Sequence, residues 1–473
     1  MPAGVIDPTS YDLVAYPATM FPNTHPDRLA AIARLHGLAA APVATARVLD
    51  IGGGDGVNLI AMAAAYPQAT FHNFDLSPVA IARGNALIYA AGLTNIVNEV
   101  GDIMLAAREM PGQYDYVIAH GVYAWVPAPV RPALMRLIGR VLAPDGVAFV
   151  SYNALPGGHL RQVVRDLLFH HLAGIDGPAA RLKRAYEVLA DFSRPRENDR
   201  VVVAALRDVA RPMQRPYPET LFHDELSSEW HPQSLSDVVA AANAEGLVFM
   251  NDASSALLYD GLPGNDDDDA AVVRAAQTTD FGSMAFFHQT LLVREGRKPA
   301  RRLNPANLVS LFVSSRAQRI GAKTFKLNED EFKVGDATMA DRLEALAKTW
   351  PRRRPVAEVA DTPDLQEALF KLFTAEIVFL FAVPLAGVAQ AGERPVASAL
   401  ARAQVAIGQR NLFTLDHSAI DMEAAGPRAF LALLDGSRDR AQLAADWAAS
   451  GHGDEVDVDT ALRQLAAVPF LMA

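Results

Sequence analysis

Residues Asp50, Gly52, Gly54 and Gly56 stand in the run Val48-Leu49-Asp50-Ile51-Gly52-Gly53-Gly54-Asp55-Gly56. An apolar segment ends at an acid, and glycines then alternate. Glycine tolerates positive φ and lets a ligand approach the backbone closely. Such a turn shapes a nucleotide-sized slot at the C-terminal edge of a parallel strand. A dinucleotide fingerprint would require glycine at 57, where the chain has Val57. Asp50 adds a negative charge beside the slot, which suits a cationic ligand better than a pyrophosphate. Asp75 ends a second strand-like run, Ala69 to Phe74. A carboxylate there can accept from both hydroxyls of a ribose. Ser77 and Pro78 also read as the cap and first turn of a helix, and Asp75 can serve both ends. A third run, Ile96 to Val100, leads into Gly101-Asp102-Ile103.

Two further strands carry polar and aromatic residues to the same edge. Tyr114 to Ala119 runs into His120-Gly121-Val122-Tyr123-Ala124-Trp125-Val126-Pro127. Val147 to Ser151 follows an expected turn, Ala143-Pro144-Asp145-Gly146, and runs into Tyr152-Asn153. The switch-point rule aims both tips at the reactive end of the slot. His120, Tyr123, Trp125, Tyr152 and Asn153 are therefore expected around an amine or hydroxyl acceptor.

The acid-x-G-x-G-x-G order resembles motif I of class I methyltransferases that use S-adenosylmethionine. The stretch at 120–127 resembles the subgroup that carries a methyltransferase regulatory domain. So do Tyr11 to Pro17, Thr24 to Leu29, Tyr152 to His159, Arg394 to Ser398 and Leu433 to Asp439. The architecture is similar to that of rickettsial outer-membrane-protein lysine methyltransferases. Two positions that often hold cysteine in that family are Gly53 and Ala119 here. The resemblance implies S-adenosylmethionine as cofactor and S-adenosylhomocysteine as product. The implied cofactor contacts are Asp50, Gly52, Gly54, Gly56, Asp75, Leu76, Asp102, Ile103 and His120, with Asp102 meeting the adenine amino group. Tyr16, Trp125 and Asn153 are expected to line the substrate pocket. His120, Tyr123 and Tyr152 are the expected catalytic set, and no metal is called for. His120 is read either as a base or as a histidine that orients the loop or touches the cofactor. Tyr11, Tyr16, Phe21 and His25 are expected to fold over the cofactor or to pack the first helix.

The resemblance implies an α/β fold: a Rossmann-like, seven-stranded sheet formed by residues 1–156 and 229–296. Leu247 to Met250 and His288 to Arg294 are read as its last two strands, the pair that closes the sheet. Residues 157–228 have helical periodicity and form an inserted block, a lid or a homodimer surface. Residues 297–392 read as an α+β middle unit, with a strand at Lys323 to Leu327 and a helix from Asp364 to about Phe381. Residues 393–473 read as a small winged-helix-like unit.

The 473 residues carry a net charge of −11, against a nucleic-acid partner. Hydrophobic residues make up 51%, ample for several cores, yet no apolar run reaches the roughly 18 residues of a membrane span. No secretory signal is evident near the start, which directs the expectation to the cytoplasm. The absence of cysteine rules out disulfides, thiolate-held clusters and a cysteine nucleophile. The expected reaction is in-line methyl transfer to a nitrogen of a protein or peptide side chain, lysine first. A lysine, with a solution pKa near 10.4, must arrive neutral. Two alternatives stand beside it: a small-molecule O- or N-methyltransferase, and a binding module that keeps the cofactor fold without turnover.

Overall fold

Strand β1 (Arg47–Ile51) is buried along all but its first residue, and the glycine turn that follows it feeds directly into α2 (Val57–Ala65). The computed structural model describes residues 14–17, 19–197, 199–215, 217–254, 259–261, 268–451 and 457–472. Tyr11, part of the expected lid, lies outside them.

Before β1 comes α1 (Pro26–Leu35), started by proline in its first turn and by His25 Nδ1 accepting from the Asp27 N–H. After α2 the chain alternates. β2 (Thr70–Asp75) is followed by α3 (Pro78–Ala91), β3 (Ile96–Val100) by α4 (Ile103–Glu109), and β4 (Tyr114–Ala119) by α5 (Val130–Val141). Ser77 caps α3 and Asp102 caps α4, each from the loop just beyond a strand tip. Capping chemistry thus sits along the edge where the slot was expected.

β5 (Leu142–Asn153) is longer than the sequence suggested. The expected turn at 143–146 lies within it as an irregularity in the ladder: Tyr114 pairs with Leu142, but Tyr116 pairs with Val147. The inserted block comprises α6 (Gly157–Leu172), α7 (Pro178–Phe192), α8 (Val201–Ala210) and α9 (Pro218–Leu226). It has a core of its own around Val164, Leu168, Leu189 and Leu221. Then α10 (Leu235–Asn243), β6 (Leu247–Asp252), α11 (Asp269–Ser283) and β7 (Phe287–Arg294) complete the sheet. Its order is β3-β2-β1-β4-β5-β7-β6, with β7 antiparallel to both neighbours. The order reverses between β1 and β4, and that reversal opens the crevice. Alternate residues fill opposite faces: Val48, Ile118 and Phe149 on one, Leu49, Val117 and Val150 on the other.

The middle unit holds β8 (Phe312–Ser314), β9 (Gln318–Arg319), β10 (Thr324–Leu327), β11 (Asp330–Lys333), α12 (Ala337–Lys348), β12 (Arg354–Pro355), α13 (Val356–Val359), α14 (Pro363–Thr374) and β13 (Phe379–Phe381). The helix expected to run from Asp364 to about Phe381 stops at Thr374. Glu376 takes a positive φ of 58°, and Phe379 to Phe381 turn back to pair with β8. The core of this unit includes Ala31 and Leu35 of α1. Buried Asp27 accepts from the backbone N–H groups of Ala382 and Val383 and pairs with Arg353.

The last unit contains α15 (Ala399–Ala406), β14 (Asn411–Phe413), β15 (Ala419–Asp421), α16 (Ala425–Leu433), α17 (Arg440–Ala449) and α18 (Val458–Ala467). The cap of α17 is Asp439, in a capping box with Gln442. Leu400, Ala403 and Phe413 pack on Val57, Ile60 and Leu87 of α2 and α3. Among the described residues, no helix is long and apolar enough to cross a membrane.

Candidate active site

Three glycines make the turn: Gly52, Gly54 and Gly56 have φ of 71°, 61° and 77°. A side chain is strained in that region, whatever space surrounds it. Gly54 faces open space, whereas a Cβ on Gly53 would come within 2.2 Å of Asn73 Oδ1. Asn73 donates to the Gly54 carbonyl at 3.3 Å and to Asn98 Oδ1 at 2.7 Å, so two buried amides support the loop from below. Asp75 braces it from the side, Oδ2 accepting from Gly54 N–H at 2.9 Å and Oδ1 from Ser77 N–H at 2.8 Å. Asp75 also lines the cavity, where a carboxylate can accept from a ligand hydroxyl.

The turn forms one wall of a cavity of about 640 Å³. Of the sequence-predicted residues, it brings together Tyr16, Asp50, Gly52, Gly54, Asp75, Leu76, Asp102, Ile103, His120 and Trp125. Gly56 lies behind, starting α2 in the left-handed conformation. Nor do His25, Tyr152, Tyr123 and Asn153 line the cavity; His25 is buried with its ring 5.7 Å from Tyr66. Tyr152 is fully buried, with its hydroxyl 2.9 Å from Thr290 Oγ1. Tyr123 is 3% exposed and packs 6.1 Å from the Tyr152 ring, in the same core. Asn153 is 4% exposed, and its backbone pairs with Phe287. Strand position brought these residues to the right height but turned them inward.

Asp50 is 2% exposed, and burial, then Asp75 nearby, raises its pKa to about 7 against the effect of a hydrogen bond from Asn58. Its Oδ2 accepts from Asn58 Nδ2 at 3.4 Å, and Oδ1 is buried with no hydrogen-bond partner among the described residues. A cationic group from a ligand would satisfy that oxygen. The residues therefore fit S-adenosylmethionine: an orphaned carboxylate oxygen on Asp50 for an ammonium, a glycine turn open at Gly54, and the Asp75 carboxylate in the cavity wall.

His120 lies against Phe21, ring centroids 3.9 Å apart, and burial lowers its pKa to about 4. Ser151 Oγ accepts from Gly121 N–H at 2.9 Å and lies 2.9 Å from His120 Nδ1. His120 is thus a neutral imidazole in the cavity wall, joined through Ser151 to the loop backbone at Gly121, a geometry open to the base and the positioning reading alike.

Sequence reasoning missed Asn58, Arg83, Asp224 and Glu229, all lining the cavity. Asp224 comes from α9 of the inserted block, and Tyr16 reaches its Oδ1 at 3.4 Å. Burial raises the Asp224 pKa to about 6, opposed by Arg161. No local signal marks these residues, because they reach the slot through tertiary packing.

A methyltransferase domain model matches residues 24–195, and a model described as the PKMT C-terminal winged helix domain matches residues 393–467. The Rickettsia prowazekii protein RP028 is 34% identical over 218 residues, 46% of this chain and 87% of that protein. RP789 of the same organism is 29% identical over 316 residues, 63% of this chain but only 55% of its own length. The fold of PKMT2 from Rickettsia typhi, solved also in complex with AdoHcy, superposes with a TM-score of 0.82 at 23% identity. That likeness covers 97% of this chain and 100% of PKMT2.

Proposed function

We propose, from the premise that this chain belongs to the class I S-adenosylmethionine-dependent methyltransferases, that it methylates a basic nitrogen on a protein or peptide side chain, lysine first. The observation that carries this reading is the charge of the cavity. Among the described residues, six carboxylates line it, Asp50, Asp55, Asp75, Asp102, Asp224 and Glu229, against the single guanidinium of Arg83. More acids gather there than one cofactor needs. Asp224 and Glu229 line the cavity together with Tyr16, Phe21 and Trp125. A cationic amine is attracted to such a mouth, and aromatic faces tolerate its methylated form. The likeness to PKMT2, and the match of residues 393–467 to the domain of that name, support a protein acceptor.

When bound, S-adenosylmethionine supplies a methyl group activated by a sulfonium. The residues of the chain align and prepare the acceptor. Asp224, with its pKa raised to about 6, is charged at neutral pH and draws an ammonium inward. Desolvation against Trp125 and Phe21 then lowers the amine pKa, favouring the neutral nucleophile. Tyr16 hydrogen-bonds Asp224 and so links the N-terminal segment to the inserted block, in keeping with a cover over the acceptor. The inserted block, residues 157–228, thus forms the acceptor-side wall; Asp75, Asp102 and Ile103 hold the cofactor nucleoside.

The test is incubation of the purified protein with labelled S-adenosylmethionine, lysine-bearing polypeptides and hydroxylated small molecules. Label in polypeptide that survives mild base supports N-methylation. Label confined to the small molecules refutes it in favour of the alternative O- or N-methyltransferase.

A further inference from the structure

The turn of the C-terminal hairpin reaches the cofactor wall. His417 lies between β14 and β15 with a φ of 64°, in a turn braced by Thr414 N–H to the Ser418 carbonyl at 2.9 Å. Its ring is 5% exposed, and Nε2 lies 2.9 Å from Asn58 Oδ1. That oxygen also accepts from the Phe21 N–H at 3.1 Å. The other end of the same amide donates to Thr24 Oγ1 at 3.0 Å and to Asp50 Oδ2 at 3.4 Å. Asn58 itself lines the cavity.

An amide has a donor end and an acceptor end, and turning it over exchanges them. Were Asn58 reversed, its oxygen would face the Asp50 carboxylate and repel it. Two donors on the far side prevent this, the Phe21 N–H and the His417 ring. We infer that His417, from the C-terminal unit, is a positioning residue of the cofactor site: as an Nε2–H donor it locks Asn58 so that its NH₂ group faces Asp50. The packing of Phe413 and Leu400 on α2 and α3 holds the hairpin against the helix that carries Asn58. Burial lowers the His417 pKa to about 3, so the ring is the neutral donor at physiological pH. The C-terminal unit thereby becomes part of the donor site, whatever the acceptor proves to be.

Two measurements test this. The first uses the unaltered protein, labelled with ¹⁵N at its 12 histidines and assigned with the H417Q variant. His417 is expected as the Nε2–H tautomer, with a resonance that moves when S-adenosylhomocysteine is added. An Nδ1–H tautomer overturns the inference, because Nε2 would then accept from a reversed Asn58. The second compares His417→Leu with His417→Gln, whose amide restores a donor. Leucine should raise the cofactor Kd and KM about three- to tenfold, the loss of one hydrogen bond, with kcat retained. Glutamine should recover most of that loss. A leucine variant that melts cooperatively and binds as tightly as the parent overturns the inference, and should it fail to fold, the tautomer decides.

Discussion

Replacing Asp50 with Asn separates two effects that pull in opposite directions. Free of ligand, the buried acid has its pKa raised from 3.8 to about 7, mainly by burial. A raised carboxyl favours the folded state in its protonated form. That contribution is complete below about pH 4 and is lost as pH climbs to about 7. Three units at 1.36 kcal/mol each give a penalty of about 4 kcal/mol on the folded, ligand-free protein at neutral pH and above. Asp50→Asn removes the charge but keeps the shape, so the apo variant should be more stable than the parent at about pH 7.5 and no more stable near pH 4. Cofactor binding should go the other way. The orphaned Oδ1 loses its charge-assisted partner, costing about 1.5–3 kcal/mol, or roughly ten- to a hundredfold in Kd. The parent's affinity should also rise with pH between about 5.5 and 7.5 as the carboxylate forms, while the variant's stays flat. Denaturant unfolding with calorimetric titration of S-adenosylhomocysteine, at both ends of that range, reads all of these quantities. A variant that binds as tightly as the parent at pH 7.5, or whose apo form is less stable there, refutes the reasoning.

Other expectations follow from the same geometry. Asp224→Asn should raise the acceptor KM for a lysine peptide about tenfold while leaving S-adenosylhomocysteine affinity unchanged in calorimetry. The parent's own acceptor KM should rise as pH falls through about 6, where Asp224 takes its proton. Gly53→Cys sets a Cβ within 2.2 Å of Asn73 Oδ1, so it should cost about 1–3 kcal/mol in chemical denaturation, recovered in part by Asn73→Ser. Tyr152→Phe should lose about 1 kcal/mol of stability with its bond to Thr290 and leave kcat unchanged; a large fall in kcat would return Tyr152 to the chemistry.

The glycine spacing and the acids at the strand tips were legible because local backbone demands dictate residue type. Positive φ at 52, 54 and 56 requires glycine, and a residue at a strand tip faces the crevice by topology alone. The antiparallel closing pair was legible from its two apolar runs. Facing was harder. Tyr152 and Asn153 lie at the right edge, yet side chains alternate across a strand, and β5 begins its ladder with an irregularity that the turn-like Ala143 to Gly146 concealed. The run from Phe370 to Phe381 reads as one helix because buried strands and buried helices share their composition. A positive φ at Glu376 divides them, and no composition rule signals it. Asp224 and His417 carry no pattern at all, since their partners are 208 and 359 positions distant, and Asn58, though only eight from Asp50, is held by His417.

Asp27 ties the first helix to the middle unit. Its buried carboxylate lies on the first helix, while Arg353, Ala382 and Val383, which satisfy it, are translated more than three hundred positions later. A chain cut after residue 296 would keep every strand of the seven-stranded sheet, yet it would strip that acid of these partners and bare Ala31 and Leu35, which pack in the core of the middle unit. Such a fragment should misfold or precipitate. The cofactor-binding half is thus no detachable cartridge: its first turn of helix is finished by the middle of the protein.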